Sequence, residues 1–297
     1  MDNIKIGVIG IPGKWSTETL ADAVEDRTGF RLVIDMRQVA LNLVSGELMY
    51  EHHDLCKLDA LLVKKISAEY SPNTLDRLDL LRVAEQAGVR VFSKAQNIHR
   101  LVNRLSCTIT LRNHDIPMPD TCITENIETA IETVLAFGSA VFKPFFSTKA
   151  RGMVVIEAAS GRNKIEQQVR EFLSSNAMMY IQKKVDLPGQ DMGLVYLGGV
   201  YQGAYARVSQ SDSWNTTIQS GGRYQDIIPE DNIIELANRA QAPFGMDFTT
   251  VDVAETTDGP IIFEVSAFGG FRGSLEGSGI NMAERYVDYA LLELRGE

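Results

Sequence analysis

With 297 residues, 44% of them apolar, the chain is long enough for two or three packed lobes and has the composition of an ordinary globular protein. A formal charge of -10 argues against a general grip on nucleic acid, which needs clustered cations to displace counterions. No run approaches the roughly 18 uninterrupted apolar residues of a membrane span, and Met1-Asp2-Asn3-Ile4-Lys5 lacks the basic-then-apolar layout of a signal peptide, so a cytoplasmic location without a membrane partner is expected.

In chain order, Ile4 to Ile11, Phe30 to Met36, Ala60 to Lys65 and Val89 to Phe92 read as β-branched strands. Leu75, Leu78, Leu81 and Ala84 keep helical spacing between the last two, with Ser71-Pro72-Asn73 as entry and Gly88 as stop. This is βαβ grammar and predicts a mainly parallel sheet. The pattern changes near Ser93 to Asn103. A helix through Leu105 and Leu111 should stop before Pro117, another should cover Ile127 to Phe137, and strands follow near Val141, Val154 and Met179. A further lobe opens near Gly189 with a hairpin, Leu194 to Leu197 and Val200 to Arg207, turned by Gly198-Gly199.

The most informative stretch runs from Thr249-Thr250-Val251-Asp252-Val253-Ala254 through Asp258-Gly259-Pro260 to Ile261-Ile262-Phe263-Glu264-Val265-Ser266, and reads as a hairpin centred near Asp258. Asp252 and Glu264 are then cross-strand partners, and like charges directly opposed repel. Hard oxygen ligands on a rigid ladder suit Mg²⁺, which takes one or two carboxylates plus phosphate oxygens and water. A one-residue slip in register would instead turn one carboxylate to solvent.

Lys143 lies in the apolar strand Ala140-Val141-Phe142-Lys143-Pro144, where an ammonium needs an anion or a solvent-facing side. The polar segment Ser147-Thr148-Lys149-Ala150-Arg151-Gly152 could close over phosphates, although it is no P-loop and taken alone reads rather as an ordinary strand-end loop. Gly7, Gly10 and Gly13 are spaced GxxGxxG rather than GxGxxG, which predicts a tight turn and not a dinucleotide fingerprint. Arg207 and Arg223 could each hold a carboxylate or phosphate, or lie solvated at the surface. Cys56, Cys107 and Cys122 make neither a disulfide framework nor a metal knuckle, and His52, His53, His99 and His114 have no partner at ligand spacing. GxSxG and HExxH are both absent, which weakens hydrolase readings.

Taken in order, these residues resemble the ATP-grasp superfamily, most closely its RimK-like glutamate-ligase branch, over about residues 90 to 295. Asn103-Arg104-Leu105 resembles the family's opening motif, with Arg104 as a phosphate-side cation; Val141 to Pro144 resembles its ATP-lysine strand, and Ser147, Thr148, Lys149 and Gly152 its phosphate loop. Tyr180 to Val185 resembles the hinge whose backbone reads adenine, which gives that role to Gln182 and Lys183. Gly189-Gln190-Asp191 resembles the segment that supplies an aspartate to the nucleotide. Gly203 to Arg207 matches the strand ending in the active-site arginine, followed by Trp214-Asn215-Thr216-Thr217; Asp252, Glu264 and Ser266 match the metal positions. Ser266 and Thr217 stand where the branch carries asparagine, and Gly193 where it carries arginine; Ser147 and Ala150 replace glycines. The family's usual proline is replaced by Phe268-Gly269-Gly270-Phe271-Arg272-Gly273, whose Arg272 could read a substrate carboxylate.

The resemblance implies an α/β and α+β architecture: a Rossmann-like domain over residues 1-95, a central lobe over 96-188, and a C-terminal lobe over 189-297 that carries the metal site, with ATP between the last two. It implies an ATP-dependent carboxylate-amine ligase working through an acyl phosphate. Lys143 and Arg104 would hold phosphates, Arg207 would stabilise the acyl phosphate, and one or two Mg²⁺ ions, or Mn²⁺ in their place, would be bound. The substrates would be a carboxylate and an amine, on a small metabolite, a peptide or a carrier protein, and a homo-oligomer is expected. The alternatives are a regulatory nucleotide binder that has lost ligation and a small-molecule kinase on the same fold.

Overall fold

The computed structural model describes residues 4-147, 150-187, 189-209 and 221-296; Thr148, Lys149 and Trp214 to Thr217 lie outside them. The chain opens with β1 (Ile6–Ile9), buried on both faces, then α1 (Trp15–Thr28) and β2 (Val33–Ile34). The strand expected over Phe30 to Met36 shrinks to two residues because Asp35 accepts a hydrogen bond from the Arg37 amide and turns the chain into a 3₁₀ turn. A small antiparallel sheet, unforeseen because its strands are so short, follows: β3 (Ala40–Asn42), β4 (Glu47–Tyr50) and β5 (His53–Asp54). The parallel sheet resumes with β6 (Ala60–Val63), α2 (Asn73–Gln86) and β7 (Arg90–Phe92), in spatial order β2-β1-β6-β7. Parallel strands need crossovers, and the expected helix supplies one.

Helix α3 (Ala95–Val102) was not foreseen. It meets α4 (Arg104–Asn113) at Asn103, whose side chain accepts from the Ser106 amide at 3.1 Å and caps the second helix. Next come β8 (Thr121–Thr124) and α5 (Ile127–Phe137), the latter bounded by an Asn126 cap and by Gly138 at φ +77°. Then follow β9 (Ser139–Lys143), β10 (Val154–Glu157), α6 (Arg162–Ser175) and β11 (Met179–Lys183). The sheet is antiparallel in order β10-β9-β11-β8. Alternation puts Ala140, Phe142, Ile156 and Ile181 into a core with Ile131 and Val169 of the two helices. The opposite face carries Thr121, Tyr180, Gln182 and Lys143.

The last sheet contains β12 (Gln190–Leu197), β13 (Val200–Val208) and β14 (Arg223–Asp226), followed after α7 (Asp231–Gln241) by β15 (Phe248–Thr256) and β16 (Gly259–Ser266). Its order is β14-β13-β12-β15-β16. Finally α8 (Phe271–Ser278) and α9 (Met282–Arg295) return the chain to its start: Tyr286 and Val287 share a core with Leu20 and Val24, and Arg27 pairs with Asp288 at 2.9 Å. A second tie crosses the molecule at Lys64. Its buried ammonium donates to the carbonyls of Phe268 (2.7 Å) and Gly269 (3.3 Å) and lies 4.1 Å from the Phe271 ring centre. Among the described residues no helix is long and apolar enough to cross a membrane.

Candidate active site

Register decides which side chains share a face. Asp252 on β15 pairs directly with Glu264 on β16, as the sequence predicts, but a bulge is what achieves it. The tip pairs Thr256 with Gly259, and carrying that register unchanged to residue 252 would place Asp252 opposite Phe263. The register shift after Asp252 gives β16 one extra residue, restores the two carboxylates as partners, and leaves the Phe263 ring 5.8 Å from the Lys143 ammonium.

Across the same sheet Gly193 lies beside Asp252, Tyr205 beside Gly193, and Asp191 beside Arg207, so these residues share one face with Thr250, Glu264 and Ser266. Arg207 grips Asp191 through Nε, 3.1 Å from both carboxylate oxygens, and through Nη2; that Nη2 also lies 3.1 Å from Asp252 Oδ2. Although burial opposes its charge, Asp252 and Asp191 hold the Arg207 guanidinium above its ordinary value. The surface-arginine alternative is therefore excluded for Arg207, whereas Arg223 is exposed. Asp191 accepts from Arg207 and so orients the guanidinium.

Burial raises the Asp252 carboxyl above the usual range. Arg207 opposes this, while Asp191 and Glu264 add to it. A cation between Asp252 and Glu264 would reverse the penalty. Thr250, opposite Ser266, is buried with its hydroxyl unpartnered among the described residues, so the donor set next to the carboxylates is unfinished. Two carboxylates, a serine and an orphaned hydroxyl fit a hard cation such as Mg²⁺ that also binds phosphate oxygens. They do not form an all-protein cage: the described residues contain no cluster of three His, Cys, Asp or Glu able to hold a metal.

Facing this sheet, Lys143 donates to Gln182 Oε1 at 2.5 Å, and Gln182 donates onward to Thr121 Oγ1 at 3.1 Å. Burial lowers the Lys143 ammonium to about 7, with Arg104 adding to the shift and Glu264 opposing it. Arg104 donates to the Pro144 carbonyl at 3.2 Å and lies 3.5 Å from Ser147 Oγ, at the start of the expected phosphate loop, while Gly152 later in that loop takes φ +69°. Lys183 is exposed, and its amide donates to the Asp120 carbonyl at 2.8 Å, so that amide is already engaged. Arg272 sits on α8 with its guanidinium 5.0 Å from the Trp15 ring centre and 3.7 Å from Glu276. The structure does not bring it to the Lys143 side.

Between the two sheets lies a solvent-open cleft bounded by Arg104, Ser147, Gln182, Phe263, Glu264 and Ser266. Sequence reasoning missed three of its other walls: Tyr70, Thr108 and Tyr180. Tyr180 was detectable, because it alternates with Gln182 on β11; Tyr70 comes from a loop after β6 and left no periodic signal. Cys107 also lines the cleft, but burial pushes its thiol up to about 12, which makes it a poor nucleophile.

The model of the RimK-like ATP-grasp domain matches residues 102-290. The chain belongs to this family. Its curated relatives include the tetrahydromethanopterin:alpha-L-glutamate ligase of Methanosarcina acetivorans, 26% identical over 96% of this chain and 98% of that protein. Another is a probable alpha-L-glutamate ligase of Aeromonas salmonicida, 24% identical over 96% of this chain and 94% of the relative. Among solved structures, the ATP-grasp ligase PsnB complexed with minimal precursor superposes with a TM-score of 0.75 at 19% identity, covering 98% of this chain and 99% of that one. The RimK domain ATP-grasp protein of Sphaerobacter thermophilus gives 0.74 at 21%, covering 96% and 98%. At these identities the two structures establish the ATP-grasp fold over nearly the whole chain.

Proposed function

We propose that this ATP-grasp protein is an ATP- and magnesium-dependent carboxylate-amine ligase that activates its carboxylate as an acyl phosphate. The observation that carries the reading is the single face on which Glu264, Asp252, Arg207 and Asp191 are aligned across four strands, opposite Lys143 and Arg104. The relatives' names point the same way, since several are glutamate ligases. Taking residues 1-95, 96-188 and 189-297 as the working units, we place the nucleotide between the last two, with adenine at the Gln182-Lys183 hinge and the triphosphate directed at Glu264 and Asp252.

In this reading a substrate carboxylate attacks the γ-phosphorus, ADP leaves, and an amine displaces phosphate from the acyl phosphate to give the amide. Asp252, Glu264 and Ser266 would hold Mg²⁺, which would offset phosphate charge. Lys143 and Arg104 bind phosphate oxygens. Arg207, fixed by Asp191, presents a preorganised cation to the acyl phosphate. The segment from Ser147 to Gly152 excludes water that would hydrolyse it. Arg272, whose guanidinium lies 5.0 Å from the Trp15 ring centre, is the candidate contact for an acceptor carboxylate. Hydroxylamine as the amine should release ADP and free phosphate together with a hydroxamate, and only when a carboxylate is present. ADP with a phosphorylated product would identify a kinase instead, and tight ATP binding without ADP under every carboxylate and amine would identify a regulatory binder.

Lys143 adds a proton signature. Its ammonium titrates at about 7 in the free protein, well below its value in an unfolded chain, because burial disfavours the charge. Phosphates restore the charged form, so ATP binding at about pH 8 should take up about one proton, and affinity should fall as pH rises through 7. Calorimetry in two buffers of different ionisation heat measures the uptake. Lys143→Met should abolish it.

A further inference from the structure

One side chain shapes three glycines on two elements. A Cβ built on Gly193 of β12 would lie 2.4 Å from Tyr205 Cζ and 2.6 Å from its hydroxyl, one on Gly273 of α8 would lie 2.4 Å from Cζ, and one on Gly277 would lie 2.7 Å from the Tyr205 Cβ. Real Cβ atoms do not approach so closely, so the phenol occupies a slot that only glycine leaves open. Tyr224 closes its edge at 5.3 Å and 90°. The residue is 3% exposed and no described residue bonds its hydroxyl, but that oxygen is not one of the fully enclosed unpartnered atoms, so it remains accessible. Other tyrosines of the core do find partners: Tyr196 donates to the Ile234 carbonyl, Tyr289 to Asp247, and Tyr180 meets Thr108.

The direction of the ring gives this orphan a place. Its hydroxyl ends over Gly193, the strand neighbour of Asp252, and Tyr205 itself lies two residues before Arg207 on the same face. Strand order puts the nucleotide cleft at β16 and Arg207 at β13, so the hydroxyl stands past the carboxylate pair, on the side away from Lys143. We propose that the Tyr205 hydroxyl is a neutral hydrogen-bond donor to the phosphoryl group as it passes from nucleotide to acceptor carboxylate, acting beside Arg207. This assignment rests on the ligase reading. The hydroxyl keeps its proton throughout. A neutral donor adds stabilisation next to the Asp191 and Asp252 charges without demanding a further counterion.

Tyr205→Phe in the full chain keeps the ring in its slot and removes only the oxygen. Binding is measured by calorimetry with Mg·ADP alone and with Mg·ADP plus aluminium fluoride, a mimic of the phosphoryl group in flight. The expected result is Mg·ADP affinity within about twofold of wild type and a complex with aluminium fluoride weakened by about tenfold, the size of one hydrogen bond. Gly193→Ala, which forces the ring out, should weaken the aluminium fluoride complex as well; if it fails to fold, the phenylalanine variant still decides. Equal affinity of Tyr205→Phe and wild type for the aluminium fluoride complex overturns the role of Tyr205 alone, as does a wild type to which aluminium fluoride adds nothing. A wild type that does not bind Mg·ADP overturns the ligase reading, and this assignment with it.

Discussion

Glu264→Gln is expected to reduce carboxylate- and amine-dependent ADP release by about a thousandfold while the protein stays folded. Glutamine keeps the shape of the side chain but removes a hard anionic ligand from the position opposite Asp252. The accompanying stability change has the opposite sign to the activity change. Directly opposed like charges destabilise a sheet, so without metal and nucleotide the variant should melt at or about 2 °C above the wild type. Adding Mg²⁺ with a nonhydrolysable ATP analogue should stabilise the wild type by mass action and the variant much less. Turnover unchanged in Glu264→Gln would remove the metal assignment, whatever its melting temperature.

Arg207→Lys should lose both activity and stability. The guanidinium forks onto Asp191 and also reaches Asp252, and both carboxylates depend on it for neutralisation in a desolvated setting. An ammonium is a point charge and cannot serve both partners in that plane. Breaking a buried ion pair outright costs about 3–5 kcal/mol, and lysine should lose a substantial part of that, visible in urea unfolding at constant m-value. Turnover should fall by roughly a hundredfold or more, since the cation facing the acyl phosphate is displaced. Because burial raises the Asp252 carboxyl above its unfolded value even beside Arg207, lowering the pH should stabilise wild type and variant alike, and the variant more, since lysine neutralises Asp252 less well. A variant with wild-type turnover and lowered stability would leave Arg207 a structural group only.

Much of the site was legible because it obeys local rules. Lys143 is anomalous in an apolar strand, and two carboxylates equidistant from a turn signal announce a charge problem on a ladder. The βαβ punctuation of the first hundred residues likewise predicts a parallel sheet, although Asp35 cuts its second strand short through a local hydrogen bond. Helix α5 was readable to the residue, since Asn126 and Gly138 mark both ends. Helix α3 was not, because Ser93 to Asn103 reads as a change of pattern, and the eight-residue helix there ends directly at the Asn103 cap of α4.

By itself the sequence determined the βαβ run of the first hundred residues, the two later hairpins, the charged residues that need partners, and the ordered motifs that resemble an ATP-grasp chain, because these depend on composition and short-range spacing. Only the tertiary structure decided which partners they meet. The bulge after Asp252 keeps the carboxylates opposed, strand order brings Asp191 and Arg207 onto the face of Asp252, and Lys143 is given to Gln182. The Tyr205 slot belongs wholly to that second category: Gly193, Gly273 and Gly277 are ordinary glycines in one dimension, and become necessary only when a distant aromatic ring has to lie between a strand and a helix. Contacts of that kind depend on long-range packing, which local propensity and spacing do not encode.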